Sequence, residues 1–399
     1  MSSFKKRVAS NQPKLPPGTK LSSHNGQVLV STGVSSLDDV LGGGLPVGSI
    51  LLVLSDRKTN YSRVLTNYFV AQGLASSHHV HVASVEENIR PMLKRLPSWC
   101  PEVALANTKV PEPREIEAEQ SPASSEKLKI AWRYQNLPTS SHTTTPAGPR
   151  SERSKGPVPF CENFDLMQPV NPEVLDQPNL TTSSLDSSVN DHYQALFSQL
   201  AGLVENGFSS LAPVPATGGR DRNIIRLAIH DMASPLWHSS SPESCFAFLH
   251  ALRGLLRFSF ATCMITVPAH LYQRGPQKSG FIRRMEHLCD AVVELESFAG
   301  SRGTKAMGDL PKYHGFFYVH KQPLLNSLVP SSTRLSAITG TQLSANNLAF
   351  KQKRHKFVIE TFYLPPEGGV SERRVAPSKD GSQSSTSSVQ NKPPQSLDF

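Results

Sequence analysis

The stretch of residues 55–62 has the position of a phosphate-binding loop, because it follows a short apolar run and precedes a helical pattern. Over the phosphate-loop pattern G-x-x-x-x-G-K-[ST], Ser55 and Asn60 replace the two glycines and Tyr61 replaces the lysine. Only Ser62, at the Mg²⁺-ligand position, matches the pattern. Side chains at the glycine positions crowd the approach of a phosphate to the backbone N–H groups, and tyrosine supplies no positive charge. The sequence therefore predicts a phosphate loop that lacks most of its binding groups.

Carboxylates that could complete a nucleotide site follow two predicted strands. Glu86 and Glu87 come after residues 80–84, where a carboxylate can orient an attacking water, and Asp231 comes after residues 224–229, where an acid can support Mg²⁺. Each has a structural alternative, because acids in the first turn of a helix interact with its dipole and polar residues resume wherever a strand ends. We favour these alternatives. The doubtful nucleotide site consists of Ser62, Glu86, Glu87 and Asp231.

Three histidines lie close together in the sequence, at His78, His79 and His81. On a strand this spacing gives the three side chains no common face, whereas metal ligands must converge. We therefore expect solvated histidines here and no metal site. No Ser/His/Asp arrangement can be identified from spacing, so the sequence predicts no catalytic residues.

Two groups of basic residues are candidates for RNA contact. One precedes the last predicted strand within a predicted hairpin, and the other follows the strand that ends at residue 267. Clustered cations can hold a phosphate backbone, but they also occur on solvated surfaces without a ligand, and both interpretations stay open. The first group is Lys351, Lys353, Arg354 and Lys356, and the second is Arg274, Lys278, Arg283 and Arg284.

The composition of the whole chain narrows the class of protein. Its 399 residues carry a formal net charge of +9, which favours a polyanionic partner such as nucleic acid, although solvated basic tails give the same balance. Five cysteines without a C-x-x-C pair argue against a disulfide framework or a zinc site and suit a reducing compartment. No apolar run approaches the roughly 18 residues of a membrane span, so we expect no membrane partner.

Composition also divides the chain into one ordered domain with disordered flanks. Residues 1–27 are predicted to form a disordered basic arm, and residues 366–399 a disordered Ser-rich tail. The domain spans residues 28–365 and contains a largely disordered insertion at residues 108–159, which is rich in Pro, Ser, Thr and charge.

Within the domain, short apolar strands alternate with helices, which predicts an α/β fold with a mainly parallel sheet and helices on both faces. Strands after Gly315 predict an antiparallel C-terminal extension. The predicted strands span residues 51–54, 80–84, 224–229, 263–267, 291–295, 315–319 and 357–362. The predicted helices span residues 64–74, 192–206 and 244–257, with another from about residue 86 to residue 96.

Several motifs together resemble the family of the fourth subunit of the eukaryotic Elongator complex, over residues 28–365. By themselves, segment 33–48 and the degenerate loop would indicate only that the chain resembles RecA-like proteins in general. The Ala-Trp-Arg-Tyr motif at residues 131–134 and the Ser-Pro-Leu-Trp motif at residues 234–237 indicate the narrower family, although their tryptophans could also be ordinary buried aromatics. The matching stretches are residues 33–48, 55–62, 129–135, 160–166 and 231–237.

This resemblance implies a RecA-like accessory subunit that is not itself an enzyme. It implies a hetero-hexameric ring with the fifth and sixth Elongator subunits, associated with the catalytic subcomplex that adds a carboxymethyl-type group to the wobble uridine of transfer RNA. It also implies that the ring binds transfer RNA and releases it in an ATP-linked way, in the cytoplasm and nucleus. No cofactor is expected in the chain alone, and ATP at ring interfaces is doubtful because the loop has lost its glycines and lysine.

Two other functions stay open at this point. One is a genuine RecA-type ATPase with a divergent site at a subunit boundary, to which Ser62, Glu86, Glu87 and Asp231 would contribute. The other is a scaffold linked to transcription or chromatin, since Elongator-like proteins have also been connected with chromatin.

Overall fold

The computed structural model of the chain describes residues 15–85, 89–99, 158–185, 189–210, 223–241, 243–272, 279–299, 313–327 and 347–362. The strands are β1 (Thr19–Leu21), β2 (Val28–Val30), β3 (Leu45–Pro46), β4 (Ile50–Leu54), β5 (His79–Ser84), β6 (Pro97–Trp99), β7 (Phe164–Pro169), β8 (Leu180–Ser184), β9 (Ile225–Ile229), β10 (Ala261–Val267), β11 (Ala291–Ser297), β12 (Gly315–Lys321), β13 (Leu348–Gln352) and β14 (Phe357–Thr361). The helices are α1 (Ser35–Val40), α2 (Tyr61–Ala75), α3 (Arg90–Leu93), α4 (Pro172–Leu175), α5 (His192–Glu205), α6 (Ser244–Arg257) and α7 (Gly280–Leu288), with a 3-10 turn at Ala269–Leu271. None of the helices in these ranges has both the length and the apolar character that crossing a membrane requires.

Nine strands form the central sheet, in the order β14-β13-β12-β11-β4-β10-β9-β5-β8. The six strands from β11 to β8 are parallel, and β12, β13 and β14 extend the sheet with antiparallel pairs. This confirms the predicted α/β fold with a mainly parallel sheet and an antiparallel C-terminal extension. Two small antiparallel sheets, β1-β2-β3 and β6-β7, accompany it.

Helices cover both faces of the sheet, so its middle strands are buried throughout. Every residue of β4, β9 and β10 is buried. On one face the core includes Leu65 and Phe69 of α2, and on the other it includes Leu196 of α5, Leu252 of α6 and Ile282 of α7. A strand that is buried on both faces loses the alternation of apolar and polar residues, which is why these segments are mainly apolar runs, interrupted only by Arg226, Thr262 and Thr266.

The outer edge of β14 is also covered, although it ends the sheet. The backbone N–H of Phe357 donates to the Tyr68 hydroxyl at 3.1 Å, and the N–H of Ile359 donates to Ser36 Oγ at 2.9 Å. Side chains from α1 and α2 therefore satisfy donors that would otherwise be open to pairing with another chain.

Order begins earlier in the chain than the sequence indicated. Strand β1 lies inside the segment predicted as a basic arm, where it pairs with β2 through a turn closed by the N–H of Ser22 and the carbonyl of Gln27 at 2.8 Å. The predicted arm of residues 1–27 therefore contains an ordered strand. The tail at residues 366–399 lies outside the described residues, and so does the insertion at residues 108–159 except for its last two residues.

Two predicted helices have different ends in the structure. The helix predicted up to residue 96 is only the short α3, because the chain enters β6 at Pro97. Helix α2 spans Tyr61–Ala75, so it begins three residues before the predicted start at residue 64 and ends one residue after the predicted end at residue 74. A Cβ at Gly73 would lie 2.7 Å from Cδ of Arg226, so glycine is needed for close packing and not for a helix end.

Arg226 of β9 is a fully buried cation on the α2 side of the sheet. Its Nε donates to His78 Nδ1 at 3.0 Å, and its Nη1 donates to the Ser31 carbonyl at 2.7 Å. Because Nδ1 of His78 accepts, the proton of this imidazole is on Nε2, which donates to the Pro17 carbonyl at 2.7 Å. One guanidinium thus connects β9, the start of β5 and two N-terminal segments.

Asp38 of α1 is the buried carboxylate nearest to this network, and Ser31 connects the two. Ser31 Oγ donates to Asp38 Oδ2, and both the N–H and the hydroxyl of Thr32 donate to Oδ1 at 2.7 Å. Burial nevertheless raises the pKa of Asp38 from 3.8 to about 6, with these hydrogen bonds and the charge of Arg226 opposing the rise. The ionised form of Asp38 is therefore held at a cost in stability.

This cost predicts a pH-dependent effect of Asp38→Asn. Because the folded pKa exceeds the unfolded one, the wild type loses stability as pH rises from about 4 through 6, whereas asparagine does not titrate. The difference in the free energy of unfolding, variant minus wild type, should increase across this window by up to about 3 kcal/mol. Urea unfolding of the full-length chain at several pH values measures it. The exposed neighbour Asp39→Asn controls for net charge, and parallel profiles for Asp38→Asn and the wild type would contradict the prediction.

Candidate functional site

A cavity of about 250 Å³ lies at the carboxyl ends of β4, β9 and β10, beside residues 55–60. Ser62 and Asp231, which the sequence assigned to one doubtful site, both line it. The cationic side chains Arg57, Lys58 and Arg63 also line it. Glu86 and Glu87 of the same predicted site lie outside the described residues.

The degenerate loop is held by hydrogen bonds within the fold, one set of which comes from Ser55 at a phosphate-loop glycine position. The N–H and the Oγ of Ser55 both donate to the carbonyl of Val267, at 2.9 and 3.1 Å, which ties the loop to the end of β10. Thr59 Oγ1 donates to Asp56 Oδ1 at 2.7 Å. Asn60 precedes α2 without capping it through its side chain. Polar groups that would face a ligand in a working loop are thus partly used to hold the loop itself.

Tyr61, which stands in place of the phosphate-binding lysine, is a packing residue. Its ring meets Phe350 of β13 edge-on, with centroids 4.8 Å apart, and lies 6.2 Å from the ring of Phe357 in β14. The centroid of its ring also lies 6.1 Å from that of the His314 ring. The substitution therefore removes a charge from the loop and adds an aromatic contact between α2 and the antiparallel end of the sheet.

Asp231 is held at the cavity by its backbone. It has φ of +46°, a conformation that costs energy for a residue with a side chain, and its N–H donates to Thr266 Oγ1 at 2.8 Å. The neighbouring His230 contacts the same hydroxyl through Nδ1 at 3.1 Å, and its Nε2 lies 3.5 Å from Asp231 Oδ2. The Asp231 side chain is 42% exposed, so its carboxylate is hydrated at the cavity mouth.

The side chains around this cavity carry charges of both signs. Three cations face two carboxylates, Asp56 and Asp231, so the balance is positive. Sequence reasoning did not select Arg57, Lys58, Arg63, His230 or His270, all of which line the cavity. The Asp-Arg-Lys run inside the degenerate loop was the available signal for two of them. With side chains at both glycine positions and Tyr61 in place of the lysine, this charge balance suits weak anion contact more than nucleotide binding.

The first basic group lies on the β13–β14 hairpin, as predicted, but its members differ in environment. Lys351 forms an ion pair with Glu360 on the facing strand. Lys353, Arg354 and Lys356 are exposed at the turn, which is closed by the N–H of Lys353 and the carbonyl of Lys356 at 2.8 Å. Three cations, not four, are thus presented to solvent at this turn.

This turn is fastened to β7. His355 Nδ1 lies 2.9 Å from Asp165 Oδ1, and the His355 carbonyl accepts from the N–H of Leu166 at 3.0 Å. Asp165 has a lowered pKa; partial burial raises it, but a bond from the Met167 N–H and the nearby basic side chains outweigh that effect. The hairpin therefore presents its cations on an anchored turn.

The second basic group is only partly within the described residues. Arg283 and Arg284 are exposed on α7, whose Ile282 and Met285 belong to the core on the α6 side. Arg274 and Lys278 lie outside the described residues. Since Phe350 and Phe357 of the hairpin belong to the core on the α2 side, the two basic groups are attached to different cores.

The prediction of solvated histidines is wrong for two of the three. His78 and His81 are buried, because His78 bonds Arg226 and Pro17 and His81 Nδ1 lies 2.8 Å from Thr181 Oγ1 of β8. Burial lowers the pKa of His78 to about 3, assisted by the charge of Arg226, and that of His81 to about 4. Among the described residues, no group of three His, Cys, Asp or Glu side chains could hold a metal ion.

Comparison with known proteins identifies the family. The model of the family described as PAXNEB protein matches residues 12–399. The chain belongs to the PAXNEB family. Proteins named Elongator complex protein 4 are similar over most of its length. That of Xenopus laevis is 38% identical over 386 residues, which cover 92% of this chain and 86% of that protein. The Danio rerio protein is 36% identical over 394 residues, which cover 94% of this chain and 90% of that protein. The human protein is 34% identical over 373 residues, which cover 88% of this chain and 80% of that protein.

These similarities confirm the resemblance to the family of the fourth Elongator subunit. The PAXNEB match includes the degenerate loop, the cavity beside it and the basic hairpin. It also includes the Ala-Trp-Arg-Tyr motif, which lies outside the described residues, and the Ser-Pro-Leu-Trp motif, whose Trp237 is buried.

The loop geometry predicts that the full-length chain binds MgATP weakly or not at all. Tyr61→Lys alone should not restore binding, because Ser55 and Asn60 still crowd the backbone. Isothermal titration calorimetry of the wild type, Tyr61→Lys and the ring-preserving control Tyr61→Phe tests this. Micromolar or tighter binding by the wild type would overturn it and favour a genuine ATPase.

Proposed function

We propose that this PAXNEB chain is a non-catalytic subunit of an Elongator complex. It forms a hetero-hexameric RecA-like ring with the fifth and sixth subunits, and the ring supports the catalytic subcomplex in carboxymethyl-type modification of the wobble uridine of transfer RNA. The chain acts in the cytoplasm and nucleus. The observation that carries the proposal is the similarity, over most of both chains, to proteins named Elongator complex protein 4.

The basic hairpin supports a role in holding RNA. Lys353, Arg354 and Lys356 are exposed on a turn that is anchored by His355 and Leu166, so fewer backbone degrees of freedom are lost when a phosphate is bound. Phosphate contacts position RNA without reading its sequence, which suits a subunit that holds transfer RNA.

A second candidate function is a divergent ATPase site at a boundary between ring subunits. One observation favours it, namely that Ser62 and Asp231 line the same cavity with three cations. A neighbouring subunit would have to supply the missing phosphate contacts. Repeating the MgATP titration with the assembled complex separates this candidate from binding by the chain alone.

The assembly proposal predicts a six-subunit particle. Co-expression of the full-length chain with the fifth and sixth subunits, followed by light scattering coupled to gel filtration, should give a mass that corresponds to two copies of each subunit. The single chain, run as a control, should not reproduce this particle. A stable monomer that remains separate from both subunits would contradict the proposal.

The hairpin predicts a uniform, salt-dependent loss of RNA binding. Replacing Lys353, Arg354 and Lys356 by alanine should weaken transfer RNA binding by the assembled complex and flatten its dependence on salt. The log–log slope should fall by about 0.7 for each contact with single-stranded RNA that is lost. Lys351→Ala is the matched control, because it removes a cation that pairs with Glu360. Anisotropy titrations at several salt concentrations measure both quantities, and an unchanged slope in an intact complex would exclude the turn as the RNA contact.

A further inference from the structure

A second cavity, of about 460 Å³, lies on the face of the sheet covered by α5, α6 and α7 and is walled by aromatic rings. Tyr193 and Trp237 are stacked with centroids 5.1 Å apart, and Tyr272 and Phe281 are stacked at 4.3 Å. Phe246 of α6 completes the wall at 5.0 Å from Phe281. We call this space, walled by Tyr193, Trp237, Phe246, Tyr272 and Phe281, the aromatic cavity.

The rings do not form an ordinary closed core. A packed core leaves few voids larger than a water molecule, whereas this volume is in the range of small-molecule sites. Phe246 also borders an adjoining apolar cavity of about 470 Å³ between α6 and α7, so the aromatic cavity continues as a groove toward Leu288. The five rings therefore face space that is large enough for a planar ligand.

Unpartnered donors accompany these rings. The indole Nε1 of Trp237 and the Oγ of Ser234 are buried and have no hydrogen-bond partner among the described residues, and Trp237 as a whole is only 6% exposed. A buried donor without an acceptor costs about 1–3 kcal/mol. An apolar ligand would leave that cost in place, whereas a flat ligand with acceptor atoms on its edge would remove it.

The rim of the aromatic cavity carries charges of both signs. Glu243 and Arg284 border both cavities, and the guanidinium of Arg284 lies 5.7 Å from the centre of the Phe246 ring. His287 borders the groove one helical turn beyond Arg284, and Arg283 is exposed on the same helix. The rim thus offers an acceptor for an amino group and cations for a phosphate.

From this combination we infer that the aromatic cavity binds one unstacked base of a single-stranded RNA, with its phosphate held by the arginines of α7. Stacking on aromatic rings suits any base, because every base has a π face. Acceptors on the base edge meet the Trp237 and Ser234 donors, and Glu243 accepts from an exocyclic amine. This inference rests on the proposed role in holding RNA and assigns it a base contact in addition to the phosphate contacts of the hairpin.

The test compares two ten-residue RNA strands, one with a central 2-aminopurine and one with an abasic residue at that position. With the co-purified complex that contains the full chain, 2-aminopurine fluorescence should be quenched, and the abasic strand should bind about tenfold more weakly. Phe281→Leu, which keeps apolar volume and removes one ring, should reduce the quenching and the preference for the base. Trp237→Phe is a second variant that retains a ring and removes the donor, and the exposed Phe258→Leu is the matched control.

Equal binding of both strands without quenching would overturn the inference, while salt-dependent binding of either strand would leave the proposed role of the hairpin intact. Absence of RNA binding at every salt concentration would overturn both. Hydroxyl-radical footprinting of the RNA-free complex gives a further check. Protection of Tyr272 and Phe281 relative to the free chain would show that a partner protein fills the cavity, and would also overturn the inference.

Discussion

A guanidinium buried in the middle of the sheet sets requirements that much of the surrounding structure meets. Arg226 needs acceptors, space for its stem and a compensating charge, and these come from Ser31 and His78, from Gly73 and from Asp38 respectively. Because these partners lie in separate elements, the buried cation holds the N-terminal segment, α1, α2 and β5 against β9. Breaking such a network by removing one charged partner costs about 3–5 kcal/mol, since it leaves the other buried without compensation. A change at either charged partner therefore affects several elements at once.

In the degenerate loop, residues at positions that would bind a phosphate in a working loop instead contact other parts of the fold. A working phosphate loop keeps its backbone N–H groups open and holds a lysine near them, so part of its stabilisation comes from the ligand. In this chain Ser55 is bonded to the end of β10, and Tyr61 packs against β13 and β14. The structure beside the loop thus holds itself together without a nucleotide. Arg57, Lys58 and Arg63 line the cavity beside this loop and give it a positive charge balance.

Sequence patterns predicted the strands and helices whose formation depends on residues close together in the chain. Mainly apolar runs predicted β4, β9 and β10, and the helical pattern over residues 192–206 predicted α5. Strand β8 was missed because only its first residue is apolar, and its pairing with β5 alone places it in the sheet. At the site, the loss of the lysine was evident from the sequence, but the aromatic partners of Tyr61 were not, since they lie on strands far along the chain. Burial of His78 and His81 was hidden for the same reason.

The two cavities are connected by the loops that follow β9 and β10. The first loop contributes Asp231 to the cavity beside the degenerate loop and Ser234 and Trp237 to the aromatic cavity. The second contributes His270 to one and Tyr272 to the other, within a single short turn. Positive φ at Asp231 and Ala233 makes the first loop a defined but strained turn. Each loop therefore forms walls of both cavities, and the two cavities share two short backbone segments. An anion beside the degenerate loop and a base in the aromatic cavity would therefore contact opposite ends of the same two loops.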